Sequence, residues 1–170
     1  MTEQPRTLDL DDWPLPDNYL AAVGRIALLW ERLQQLLSLA NANLAGFNSL
    51  GDARVDTVFT RGSFAQRLAL LEDLCQTLLP QHPGLADYHT VVEELRGAET
   101  QRNEYLQGAM APNPADGTVE MAVTTGDAHS SRPVSLAELQ QVAVGIDAAQ
   151  HALYKLVMAM SKPSSTWHSD

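Results

Sequence analysis

Near the end of one predicted helix the chain places Glu99, Arg102, Asn103, Tyr105 and Gln107, its densest group of side chains able to do chemistry. At about 100° per residue from Tyr88, the apolar face of that helix passes through Val92, Leu95, Leu106 and Ala109, and Glu99 and Arg102 fall in the same arc. Two charges therefore point where hydrocarbon is expected. An unpaired guanidinium costs several kcal/mol to bury, so Arg102 must be paired, solvated in a cleft or held at a subunit interface. Glu99, three residues earlier, is the first partner in reach, and Asn103 lies at the edge of the face. Two readings stand side by side. In one, Glu99 and Arg102 form a structural ion pair. In the other, the group is a ligand-binding pocket for phosphate or carboxylate, which the planar fork of Arg102 suits, with Tyr105 and Gln107 at its flanks.

Other reactive chemistry lacks its parts. The histidines, His82, His89, His129, His151 and His168, include no pair at helical ligand spacing, and no Glu-x-x-His appears, so no metal is expected. Phosphate-loop, nucleophile-elbow and dinucleotide motifs are absent from the sequence, and no cofactor is expected. Cys75 sits among Leu71, Leu74, Leu78 and Leu79 with Glu72 and Asp73 as its nearest charges, which predicts a buried structural thiol. Trp13, Trp30 and Trp167 read as packing residues, and the basic trio Arg54, Arg61 and Arg67 as a solvated surface.

The elements that position these residues are helical. Asp17 or Asn18 can cap a first amphipathic helix through Leu20, Val23, Ala27, Trp30, Leu33, Leu37 and Ala40, fading through Asn41, Asn43 and Gly46. Residues 46–62 read as a connection. Ser63 with Gln66 is a capping box for a second helix over roughly 62–79, ended by Pro80. After His82-Pro83-Gly84 comes the third helix, ending between Gly108 and Pro112. Alternation over Thr118 to Thr125 predicts a strand, with a turn near Gly126-Asp127 and a partner around Ser131 to Val134, confined to an edge by Pro133. Ser135 to Glu138 is a second capping box, opening a last helix through Leu139, Val142, Ile146, Ala149, Leu153, Leu156 and Met160. The expected fold is all-α, an up-and-down bundle of four to five helices with a small β-hairpin excursion before the last. Residues 1–16 are expected to be a flexible acidic segment, 17–162 the bundle domain and 163–170 a disordered tail.

With 170 residues, one core suffices. A net charge of -10, from 21 acids against 11 bases, argues against a bulk electrostatic grip on DNA or anionic membrane, so any polyanion site must be local. A lone cysteine and an acidic start fit an unexported, cytoplasmic protein. An apolar face interrupted by charge also fits a seam between subunits.

The run Arg102-Asn103-Glu104-Tyr105-Leu106-Gln107-Gly108, late in a third helix and followed by a β excursion and a capped last helix, resembles the HEPN domain, whose signature is Arg, four to six residues, then His. The similarity of layout covers about Asp17 to Ser161. It implies a homodimer whose motifs meet at a cleft where active members cut RNA without a metal. Arg102 would bind the scissile phosphate, Asn103 would orient the site, and Gln107 would stand at the family's histidine. An amide exchanges no proton near neutral pH, so Gln107 can bond a phosphate or ribose hydroxyl without serving as acid or base. His129 is the nearest substitute along the chain, but Asp116, Glu120 and Asp127 surround it with charge that repels RNA. The resemblance therefore implies a noncatalytic relative: a degenerate ribonuclease acting as a binding or regulatory protein, as in toxin-antitoxin or defence systems, with RNA, a nucleotide or a protein as partner. Two alternatives are a metal-independent endoribonuclease with a displaced base, and an interaction bundle unrelated to HEPN.

Overall fold

Apolar residues three and four apart generate each long helix, and the structure, a computed structural model, describes residues 14–47, 62–125 and 128–160. α1 spans Asp17–Leu44 and buries Ile26, Trp30, Leu33 and Leu37. Its start differs from expectation. Neither Asp17 nor Asn18 caps it; Pro16 stands at the cap, its carbonyl accepting from the amides of Tyr19 and Leu20. The extended ψ of 145° at Pro16 turns the chain into the helix, and the Asn18 side chain serves only the next amide, Oδ1 accepting from Tyr19 N at 3.0 Å. α1 ends near Gly46, whose φ of +83° is the left-handed geometry that glycine adopts without strain. Asn41 remains helical and fully buried, its Nδ2 donating 2.9 Å to the carbonyl of Arg67.

α2 spans Phe64–Leu78 and opens on the expected box, with Ser63 Oγ accepting from Gln66 N and Gln66 Oε1 accepting from Ser63 N. A 3-10 turn at Pro83–Leu85 leads to α3, Tyr88–Leu106. At Gly84 a Cβ would lie 2.8 Å from the carbonyl oxygen of Ala159, so the break is also where the chain passes against the last helix. β1 (Met110–Pro112), β2 (Val119–Thr125) and β3 (Ala128–Pro133) form one antiparallel sheet in that order. The expected hairpin is β2 with β3, pairing Glu120 with Pro133 and Thr125 with Ala128, and Pro133 lies on an edge strand. β1 is an addition, pairing Met110 with Met121; three residues are too short to show alternation. α4 spans Leu136–Met160, opened by the Ser135–Glu138 box.

The result is a mostly-α bundle with a small sheet before the last helix. α3 runs against α4: Tyr105 bonds Glu138 near one end, and Gly84, just before α3, meets Ala159 near the other. α1 lies along α4 in the same direction, with Tyr19 bonded to Val134 and Leu29 to Gln150. Alternation thus holds from α2 to α4, and the long interval between Leu44 and Phe64 lets α1 take its place beside α4. A single core joins the helices, with Ile26, Leu33, Leu71, Leu95, Ile146 and Leu153 fully buried. Among the described residues no helix is long and apolar enough to cross a membrane. Trp13, Arg54, Arg61, Trp167, His168, the 126–127 turn, residues 1–13 of the expected 1–16 segment and the expected tail at 163–170 lie outside the described residues.

Cys75 is fully buried, and desolvation pushes its thiol up to about 11. A thiol-specific reagent at pH 8 is expected to label native protein at least about a hundredfold more slowly than protein in denaturant, because reaction requires both opening and ionisation. Equal rates, followed by absorbance, would show the site to be open.

Candidate functional site

Arg102 enters from the last turns of α3, half-buried, and lies across Trp30 of α1 with Cζ 5.4 Å from the ring centroid. Trp30 is held in turn by Phe64 at the start of α2, their centroids 4.6 Å apart. The guanidinium Nη1 donates 2.9 Å to Asn103 Oδ1, while Nε is buried with no partner among the described residues. The expected bond to Glu99 is not made, and among the described residues no carboxylate pairs with Arg102. An indole face contributes about 0.5–2 kcal/mol to a cation and shelters its aliphatic stem, whereas a half-exposed ion pair contributes about 0–1. The side chain settles on the indole, the stronger of the two attractions. Glu99 is half-buried beside it and bonds no other described residue.

The five candidate residues therefore do not converge on one pocket. Arg102 and Asn103 meet. Gln107 is exposed at the C-cap of α3, its backbone amide bonded to the Asn103 carbonyl and its side chain joined to neither Arg102 nor Asn103. Tyr105 belongs to a second cluster, where its hydroxyl donates 3.2 Å to Glu138 Oε1 and its ring stacks under Arg132 with Cζ 5.0 Å from the centroid. His129 is on β3 with its backbone opposite Thr124, and its side chain is outside the described residues. Arg67 is a correction: it is half-buried in the α1–α2 seam rather than on a solvated surface. It donates to Gln34 Oε1 at 2.6 Å and to Ser38 Oγ at 3.1 Å, because Gln34 and Ser38, one turn apart on α1, present their acceptors toward α2. Among the described residues no three His, Cys, Asp or Glu side chains gather as a metal cage would need.

Beyond its capping box, the second cluster has no signature in the sequence. Arg132 on β3 bridges Glu104 at the end of α3, 2.8 Å away, and Glu138 in the first turn of α4, 3.0 Å away. It ties the sheet to both helices. Glu138 also accepts from the backbone and hydroxyl of Ser135 at 2.7 and 2.8 Å. The Ser135 N–H, then its hydroxyl, then Arg132 and Tyr105 hold the Glu138 carboxyl down to about 2. On the sheet, Glu120 is held below its ordinary range by the Ser131 hydroxyl and the Asn113 amide. Only Ser135-x-x-Glu138 is a local signal; the contact of Glu104 with Arg132 joins residues far apart in sequence and has none.

Chemically, Arg102 presents a cation braced by an indole and an amide, with no carboxylate among the described residues to neutralise it. Neither Trp30 nor Asn103, the side chains touching it, can take up or release a proton near neutral pH. The arrangement can hold an anion, and neither of these two side chains can relay a proton to it. Comparison with known protein families, curated proteins and solved structures returned no match for this chain.

Glu138→Gln tests the second cluster. Folding lowers this carboxyl from 4.5 to about 2, so its contribution is fully present above pH about 4.5 and is lost as pH falls through about 2. The variant is expected to be less stable by about 1 kcal/mol at pH 7, the size of a lost cap. Urea melts should show the gap between the two proteins closing over that acid window; a gap independent of pH would refute the assignment.

Proposed function

We propose that the chain is a noncatalytic, HEPN-like binding bundle that self-associates as a homodimer and uses Arg102 to hold a phosphate-bearing ligand, with single-stranded RNA the first choice. The observation that carries this reading is the state of Arg102: half-buried on Trp30, bonded to Asn103 and paired with no described carboxylate, although Glu99 is one turn away. A guanidinium oriented in this way has lost part of its rotational freedom before any ligand arrives, and its free edge can donate to a phosphate. Asn103 anchors the fork. Gln107, at the position of the family's histidine, favours binding over cleavage because an amide is neither acid nor base near neutral pH. The acidic chain allows only local contact with a polyanion, so affinity should be modest and salt-sensitive, falling with a slope of about -0.7 per phosphate engaged.

Fluorescence anisotropy with a short labelled single-stranded RNA tests this. The wild-type chain is expected to bind without cutting the strand, and Arg102→Ala to weaken binding about tenfold, the worth of one charge-assisted hydrogen bond, with an unchanged circular dichroism spectrum. Cleavage by the wild-type chain that disappears in Arg102→Ala would replace this reading with the nuclease. Equal RNA affinity of the two proteins would remove the anion role and leave an interaction bundle.

A further inference from the structure

The outer face of α1 and α4, on the far side of α1 from Arg102, carries large apolar side chains that no other described residue covers. Leu28 is 72% exposed, Val144 58% and Tyr154 55%, with Leu39 and Met158 also open. These are ordered positions on the two longest helices. On α4 the exposed stripe Val144, Asp147, His151, Tyr154, Met158 repeats at spacings of three and four, the rhythm of a helix seam, on a side away from the core stripe of Leu139, Ile146 and Leu153. On α1, Arg25, Leu28, Arg32, Gln35 and Leu39 follow the same rhythm. The two stripes flank a cleft of about 440 Å³ floored by Leu36 and Gln150.

The chemistry of the two stripes matches level by level. Because α1 and α4 run in the same direction, with Tyr19 bonded to Val134 and with Arg32, Leu39, Asp147 and Tyr154 lining one cleft, Arg32 stands near Asp147 and Leu39 near Tyr154, while Leu28 and Val144 each lie about one turn earlier on their own helix. Arg32 bonds no carboxylate among the described residues, and Asp147 has only His151 beside it, 3.5 Å away. Glu31, the other acid on this part of α1, is occupied by Gln34 and Gln35. A two-fold axis parallel to the helices would lay α1 of one subunit on α4 of the other at the same heights. Apolar then meets apolar at Leu28 with Val144 and at Leu39 with Tyr154, and Arg32 meets Asp147 twice, once on each side of the axis. Such an isologous contact needs no second kind of surface.

We infer that this α1–α4 face is the homodimer interface, a second copy of the chain being its occupant. The inference rests on the homodimer part of the function proposed above and gives it a geometry different from the one the resemblance implies, in which the two motifs meet at a cleft. Trp30 is about 200° around α1 from both Leu28 and Arg32, so Arg102, seated on Trp30, faces away from the partner. The two Arg102 sites stand apart on the dimer and bind independently, rather than closing on one strand as a composite cleft would. The stripe from Val144 to Met158 is roughly 21 Å long and two helices, roughly 20 Å, wide. That footprint sits at the small, reversible end of dimer interfaces.

Sedimentation velocity on the full chain from about 1 to 100 µM, the range where reversible dimers dissociate, tests the geometry. The wild-type chain is expected to shift from monomer to dimer, and Tyr154→Lys to remain monomeric with an unchanged circular dichroism spectrum. Arg32→Asp and Asp147→Arg are each expected to raise the dimer Kd at least about tenfold, and the double variant to recover most of that loss, since it restores opposite charges across the axis. RNA anisotropy on the same variants separates the two proposals: dimer-deficient variants should keep the wild-type affinity per subunit. A wild-type chain that stays monomeric, a dimer indifferent to all these substitutions, or a double variant no better than the singles would overturn this interface whatever the RNA result. Loss of RNA binding in Arg102→Ala would stand unaffected.

Discussion

A guanidinium resists entry into hydrocarbon unless something replaces its water, and in this bundle the replacement is an indole face. Arg102 rests on Trp30, and Trp30 is fixed by Phe64 from a third element, so one contact connects α3, α1 and the start of α2. The alternative was an ordinary pair with Glu99, which would have cancelled the charge and left a structural tie. Stacking leaves the charge available. The proposed function depends on that difference, because an anion is attracted only to a cation that the protein has not already neutralised.

The β excursion works by a different electrostatic device. Arg132 is saturated with partners: Glu104, Glu138 and the ring of Tyr105 surround it, and Glu138 is engaged by Ser135 as well. Every charge in that cluster serves to fasten the sheet across the junction between α3 and α4. In the proposed reading the two arginines divide the work: Arg132 holds the fold and Arg102 meets a ligand. Gly108 marks how tightly the junction is closed, since a Cβ there would come within 2.6 Å of Met121.

With a dimer formed through the outer faces of α1 and α4, the proposed anion sites look outward and away from each other. That arrangement is consistent with binding rather than strand scission. A metal-free cut requires groups that give and take protons on either side of one phosphate, and Gln107, exposed and unattached to Arg102, supplies none. Self-association and ligand binding then occupy opposite sides of α1, and α1 is the element common to both.

Periodicity and capping chemistry are local, and they were legible from the residues alone. The Ser63–Gln66 and Ser135–Glu138 boxes, the helix-breaking segment at Pro83, the buried Cys75 and the pairing of the 119–125 strand all stand as expected, because each depends on neighbours within a few positions. So did the presence of Arg102 on an apolar arc. What the residues could not announce was which partner that arginine would choose, since Trp30 lies far away in sequence and wins only once α1 and α3 are packed. The same holds for Arg67 turning inward to Gln34, for Arg132 spanning two helix ends, and for α1 lying along α4. It holds equally for the exposed stripe on α4: its spacing was present all along, but only packing could show which of two apolar stripes the core would take and which it would leave to water.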